Sequence, residues 1–186
     1  ILNLEKISII NSPWCKLYKR RIIIENSIFF DHFISYGEDH LFSLQFIQYI
    51  TSIDINDNSG YLYMVSNGNS LTKSHKEPEK LLYYAQETKR FRNLIYSKMI
   101  DEDDCQKLIN THFLTHQLLA IIAVYNGNFS YNSRKKTLNL VIPFLSPEQT
   151  NNYLFKYIRS IGKSKLPMLF KDLLFRFLLN SRKLLK

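Results

Sequence analysis

The sequence predicts a mixed α/β N-terminal part over residues 1–75 followed by an all-α region over residues 76–186. Three observations carry that expectation. The first part holds short β-branched or aromatic runs separated by turn residues, such as Tyr61-Leu62-Tyr63-Met64-Val65 after Asp57-Asn58-Ser59-Gly60. The second carries helical spacing almost throughout, with Leu118, Ile121, Ile122 and Tyr125 on one apolar face. The third is a charge shift: from Lys163 to Lys186 seven basic residues face the single acid Asp172, most of a net charge of +9.

In order, Ile1 to Asn11 reads as an extended segment because β-branched Ile7, Ile9 and Ile10 surround Ser8, and Asn11-Ser12-Pro13 then turns the chain. Trp14 to Tyr18 alternates bulky and polar residues, as a short strand does, and Lys19-Arg20-Arg21 follows it. Ile22 to Asn26 reads as one helical turn. After the apolar Ile28-Phe29-Phe30, the chain reaches Tyr36-Gly37-Glu38-Asp39-His40. Phe42, Phe46, Tyr49 and Ile50 then recur with helical period, so a helix starts at the acidic pair. Free backbone N–H groups and the helix dipole favour carboxylates there. Glu38 and Asp39 therefore read either as ordinary first-turn acids or, if they open into a cleft, as a base for a substrate hydroxyl. Thr51 to Ile55 is a short β-rich piece, and Ser66 to Ser70 a polar loop. Helices are expected over Glu77 to Met99, Glu102 to Tyr125, Pro147 to Ile161 and Pro167 to Leu185.

The composition also bounds function. At 45% hydrophobic the 186 residues suffice for a packed core. Cys15 and Cys105 stand far apart without a Cys/His cluster, which argues against a structural zinc and favours a reducing setting. No uninterrupted apolar run approaches the ~20 residues of a membrane span, and the chain opens on Ile1 without a charged and apolar leader, as an internal or C-terminal fragment would. A cytoplasmic protein, peripheral on the inner face of the cell membrane if its tail docks there, is the expectation. Met168 to Leu185 alternates leucines and phenylalanines with Lys171, Arg176, Arg182 and Lys183, an amphipathic pattern suited either to an anionic membrane surface, through residues 167–186, or to packing on the domain.

Four pieces in order, PWCKLYKRR, a polar gap, GEDHLF and YLYMVSNGNSLTKS, resemble the C-terminal part of the catalytic domain of glycosyltransferase family 2, enzymes of the GT-A fold that build capsule, lipopolysaccharide and other surface polysaccharides. The resemblance covers about Ser12 to Lys76. It implies the acceptor-side half of a GT-A fold, without the donor-binding half, and so a hexosyl transferase fragment that is inactive when isolated. It also implies that Asp39 is the general base of an inverting transfer, with Glu38 supporting it and Gly37 opening the helix. By the same resemblance Trp14 would stack on a sugar ring, Lys16 would meet phosphate, and Asn69, Ser70, Thr72 and Lys73 would close over the nucleotide diphosphate. The residues themselves leave Trp14 equally readable as core, Lys16 as solvated and the loop as a polar connector.

The implied partners are a nucleotide-sugar donor and a glycan or lipid-linked acceptor, and the implied cofactor is a divalent cation, manganese or magnesium, with His75 as a candidate ligand. The family's Asp-x-Asp metal motif has no counterpart on a strand: Asp101-Glu102-Asp103 reads as the start of a helix. His112 and His116 stand one turn apart without a third ligand. The competing reading is a non-catalytic basic helical module for an anionic membrane or nucleic acid. Arg134-Lys135-Lys136 and the tail supply charge for it, but no aromatic platform accompanies them, so no specific nucleic acid is expected.

Overall fold

The structure is a computed structural model, and it describes residues 1–56, 77–97, 102–145 and 153–181. Along the chain run α1 (Leu2–Lys6), a 3₁₀ turn (Ile9–Asn11), α2 (Arg20–Glu25), α3 (Glu38–Ile47), α4 (Pro78–Tyr96), α5 (Glu102–Asn126), α6 (Tyr131–Val141), a second 3₁₀ turn (Ile142–Phe144), α7 (Tyr153–Lys163) and α8 (Met168–Ser181).

No β-strand occurs among the described residues, which overturns the mixed α/β expectation and with it the acceptor half of a GT-A sheet. The reasons are local. Ile1 to Asn11 satisfies its backbone within itself, with Glu5 N donating to Ile1 O at 3.0 Å and Ser8 N to Glu5 O at 2.9 Å, and of its β-branched residues only Ile10 is buried. Between Trp14 and Tyr18 the left-handed φ of 60° at Cys15 breaks any extended run. Thr51 to Ile55 is exposed and pairs with no strand among the described residues. A β-favouring composition without a ladder partner does not make a strand. The Tyr61–Val65 segment lies outside the described residues.

The chain divides into two compact units. The first comprises Ile1–Ser74 and Glu87–Gln106, the second His75–Gln86 and Lys107–Lys186. In the first, Phe42 and Phe46 of α3 bury with Ile28, and Tyr18, Ile22, Ile23 and Ile50 pack around them. Tyr18 meets both phenylalanines edge-on, with ring centroids 5.4 Å and 4.9 Å away. Phe30 stacks on Phe42 at 4.5 Å. The face expected from the helical period is therefore the buried one, except that Tyr49 lies beyond the helix and is exposed.

In the second unit, Ile109, Leu118, Ile121 and Val124 of α5, Leu138 and Val141 of α6, Ile158 of α7 and Phe175 and Leu179 of α8 are buried. α5 is long and apolar enough to cross a membrane by length and composition, but 56% of that stretch is buried within the protein, as in an ordinary core helix. α6 was not expected from the apolar pattern. Ser130 caps it by accepting from Ser133 N at 3.3 Å. Asp172 of α8 accepts two bonds from Arg134 of α6, at 2.8 and 2.9 Å, and one from Tyr125 of α5 at 2.7 Å, tying three helices together. Gly162 near the end of α7 allows a close approach: a Cβ there would lie 3.2 Å from Leu145 and 3.3 Å from Ile142.

Candidate functional site at the start of α3

The chain enters α3 through Gly37 at a φ of 79°, a left-handed conformation that side-chain-bearing residues adopt at a cost. Leu41 N then donates to Gly37 O at 3.0 Å, which closes the first turn. Glu38 and Asp39 are its first two residues, both half-buried, and the N-cap residue Gly37 has no side chain with which to cap the turn. The helix N-terminus favours their ionised forms, yet burial and the neighbouring Glu38 charge raise the pKa of Asp39 above the ordinary carboxylate value. Asp39 is thus a stronger base than a solvent-facing aspartate.

Tyr18 extends the site. Its hydroxyl lies 3.4 Å from Ser43 Oγ, one turn along α3, and its pKa is raised by burial and by the charge of Asp39, against the Ser43 contact. The PWCKLYKRR loop is in this way brought to the acidic pair by its tyrosine. Trp14 is 44% exposed, so it is not a core tryptophan. Lys16 is partly buried, its ammonium donates to the carbonyl of Ser12, and burial lowers its pKa. It folds back onto its own loop. Asn69, Ser70, Thr72, Lys73 and His75 lie outside the described residues.

Directly after Asp39, His40 points inward and takes part in a buried charged cluster that sequence reasoning missed. Its Nε2 lies 3.4 Å from Glu5 Oε1. The Glu5 carboxylate also accepts from the Arg92 guanidinium and the Tyr96 hydroxyl of α4. All four residues are at most 3% exposed. Burial alone would raise the Glu5 pKa, but His40, Arg92 and Tyr96 together hold it down at about 2. His40 is pushed down by burial and by the Arg92 charge, against the pull of Glu5, and Tyr96 is pushed up by burial and the Glu5 charge. The cluster joins α1, α3 and the second half of α4, so the residue after Asp39 is fixed to the interior.

No group of three His, Cys, Asp or Glu residues that could hold a metal ion occurs among the described residues. Asp103 and Asp104 lie in the first turn of α5, as the helix-start reading of that acidic run requires, and Asp104 pairs with Lys6 at 2.9 Å. His116 contacts the His112 carbonyl through Nδ1 at 2.9 Å and meets the Tyr84 ring edge-on at 4.7 Å, the environment of a packed histidine. Comparison with protein-family models, with curated proteins and with solved structures gives no match for this chain.

Proposed function

We propose that the chain carries the acceptor-activating part of an inverting glycosyltransferase that moves a sugar from a nucleotide-sugar donor to a hydroxyl of a glycan or lipid-linked acceptor, with Asp39 as the general base. The observation that carries this reading is the half-buried Asp39 at the start of α3, its pKa raised by burial and by Glu38. A base whose pKa moves toward neutrality matches the proton it must take better than an ordinary aspartate does. Support comes also from the resemblance of the PWCKLYKRR and GEDHLF pieces to family 2 glycosyltransferases.

In such a transfer the acceptor oxygen attacks the anomeric carbon opposite the departing nucleotide diphosphate, through an oxocarbenium-like state. Asp39 accepts the hydroxyl proton as the new glycosidic bond forms and the bond to the diphosphate breaks. Glu38 raises the basicity of Asp39 by its charge, and Trp14, exposed on the adjoining loop, offers an aromatic face to a sugar ring. The negative charge of the leaving diphosphate needs a counter-charge.

The test is sugar transfer by the intact protein across a panel of nucleotide-sugar donors and glycan acceptors, read as release of nucleotide diphosphate. Asp39→Asn is expected to lower kcat by about 10²–10⁴-fold with unchanged circular dichroism and thermal unfolding. Undiminished turnover in that variant removes Asp39 from the role, and absence of transfer from every donor overturns the reading as a whole.

A further inference from the structure

α8 is apolar on two opposite sides, and only one of them is covered. Phe175, Leu179 and the paired Asp172 face the core. Leu169, Phe170, Leu173, Leu174 and Phe177 are between 40% and 77% exposed. At 3.6 residues per turn these five span an arc of about 140° centred opposite Phe175 and Leu179. Arg176 borders that arc on one side and Lys171 on the other. A helix that is hydrophobic all round is ordinarily buried all round, so the open side asks for a partner.

The charge around it says which. From Lys163 to Lys186 the sequence has one acid, Asp172. It is 2% exposed, and inside the unit Arg134 neutralises it while Tyr125 donates a hydrogen bond to it. Lys163 and Lys165 just before α8 and Arg176 on it are exposed, and Tyr157 of α7 is 59% exposed. The fold has thus withdrawn the only negative charge of this segment from the surface and left an apolar arc with cationic margins. A protein partner of ordinary composition would want mixed charge at its rim. A bilayer with anionic headgroups offers an apolar interior beneath a uniformly negative surface, which matches both features.

We propose that α8 docks on an anionic lipid surface, with Leu169, Phe170, Leu173, Leu174 and Phe177 inserted at the level of the headgroups and Lys163, Lys165 and Arg176 against lipid phosphates. The helix lies in the plane of the interface. It does not cross the bilayer, since its other side is part of the core.

The test is co-sedimentation of the purified chain with vesicles of equal parts phosphatidylcholine and phosphatidylglycerol, beside vesicles of phosphatidylcholine alone. Binding to the anionic vesicles, weak binding to the neutral ones and weakening by salt are expected. The double variant Phe170→Ser/Phe177→Ser removes only exposed side chains and should lower the affinity more than about tenfold, with circular dichroism unchanged. Lys165→Gln/Arg176→Gln should lower it about fivefold for each cation removed. The proposal is overturned if the chain ignores anionic vesicles, or if it binds neutral ones equally. It is also overturned if the phenylalanine variant binds undiminished, if the same variant instead turns a dimer into a monomer, or if salt-sensitive binding to generic duplex DNA replaces lipid binding.

Discussion

Glu5→Gln isolates the energetic role of the buried cluster behind the acidic pair. The wild-type carboxylate has its pKa lowered from 4.5 to about 2 by His40, Arg92 and Tyr96, whose effect outweighs burial. At about 1.4 kcal/mol per pH unit, that difference is worth about 3 kcal/mol of folding free energy. Folded Glu5 binds its proton less tightly than unfolded Glu5, so the contribution is fully present above pH 4.5 and is lost as pH falls through the folded value near 2. Glutamine cannot ionise and leaves Arg92 buried without its counter-charge. Urea unfolding of both proteins, followed by circular dichroism, should therefore show Glu5→Gln less stable by about 3 kcal/mol at pH 7, with the part owed to Glu5 ionisation falling to about 1 kcal/mol at pH 3. His40, whose pKa is lowered by burial, destabilises both proteins in the same direction below its unfolded value of 6.5, and leaves the sign of the difference unchanged. A difference under about 1 kcal/mol at pH 7 would refute the reasoning.

Two other substitutions probe the frame of each unit. Arg134→Met leaves Asp172 buried without its bidentate partner and should cost about 3–5 kcal/mol, read as a lowered urea midpoint; a loss under about 1 kcal/mol would mean that Tyr125 alone satisfies the carboxylate. Gly37→Ala places a Cβ on a residue at φ 79° and should cost about 1–2 kcal/mol in thermal or chemical unfolding, and an unchanged stability would show that the first turn of α3 tolerates a different backbone.

The start of α3 was legible because its signals are local and concordant: a glycine, two acids, then Phe42 and Phe46 at helical spacing. The four long C-terminal helices were legible for the same reason, each being an apolar face of several turns. The strands were misread because alternation and β-branching at Trp14 to Tyr18 or Ile7 to Ile10 describe a residue's suitability for a sheet, and a sheet needs a second strand that no local pattern supplies. α6 escaped because Arg134-Lys135-Lys136 read only as charge for a membrane or nucleic acid, although Ser130 three residues before Ser133 is a capping arrangement that announces a helix. The Glu5 cluster was the hardest to see. Glu5 and Arg92 lie 87 residues apart, and nothing near Glu5 says that its partner is on another helix. Arg92 and Tyr96 fall one turn apart on the buried face of α4, and a lone arginine at such a position is the available hint that a buried carboxylate waits elsewhere.

Adjacent residues at the start of α3 sit in opposite surroundings, and that contrast explains how a carboxylate can be both desolvated and held in place. Asp39 needs partial burial to gain basicity, but a buried charge without an anchor tends to turn outward to water. Gly37 fixes the chain on one side of it by a backbone conformation open chiefly to glycine. On the other side His40 is 2% exposed and held against Glu5, itself clamped by Arg92 and Tyr96. The helix can neither rotate nor fray at this turn without exposing or unpairing that cluster. The free-energy cost of freeing Asp39 is therefore carried in part by Glu5, His40, Arg92 and Tyr96, which hold the turn on which it sits.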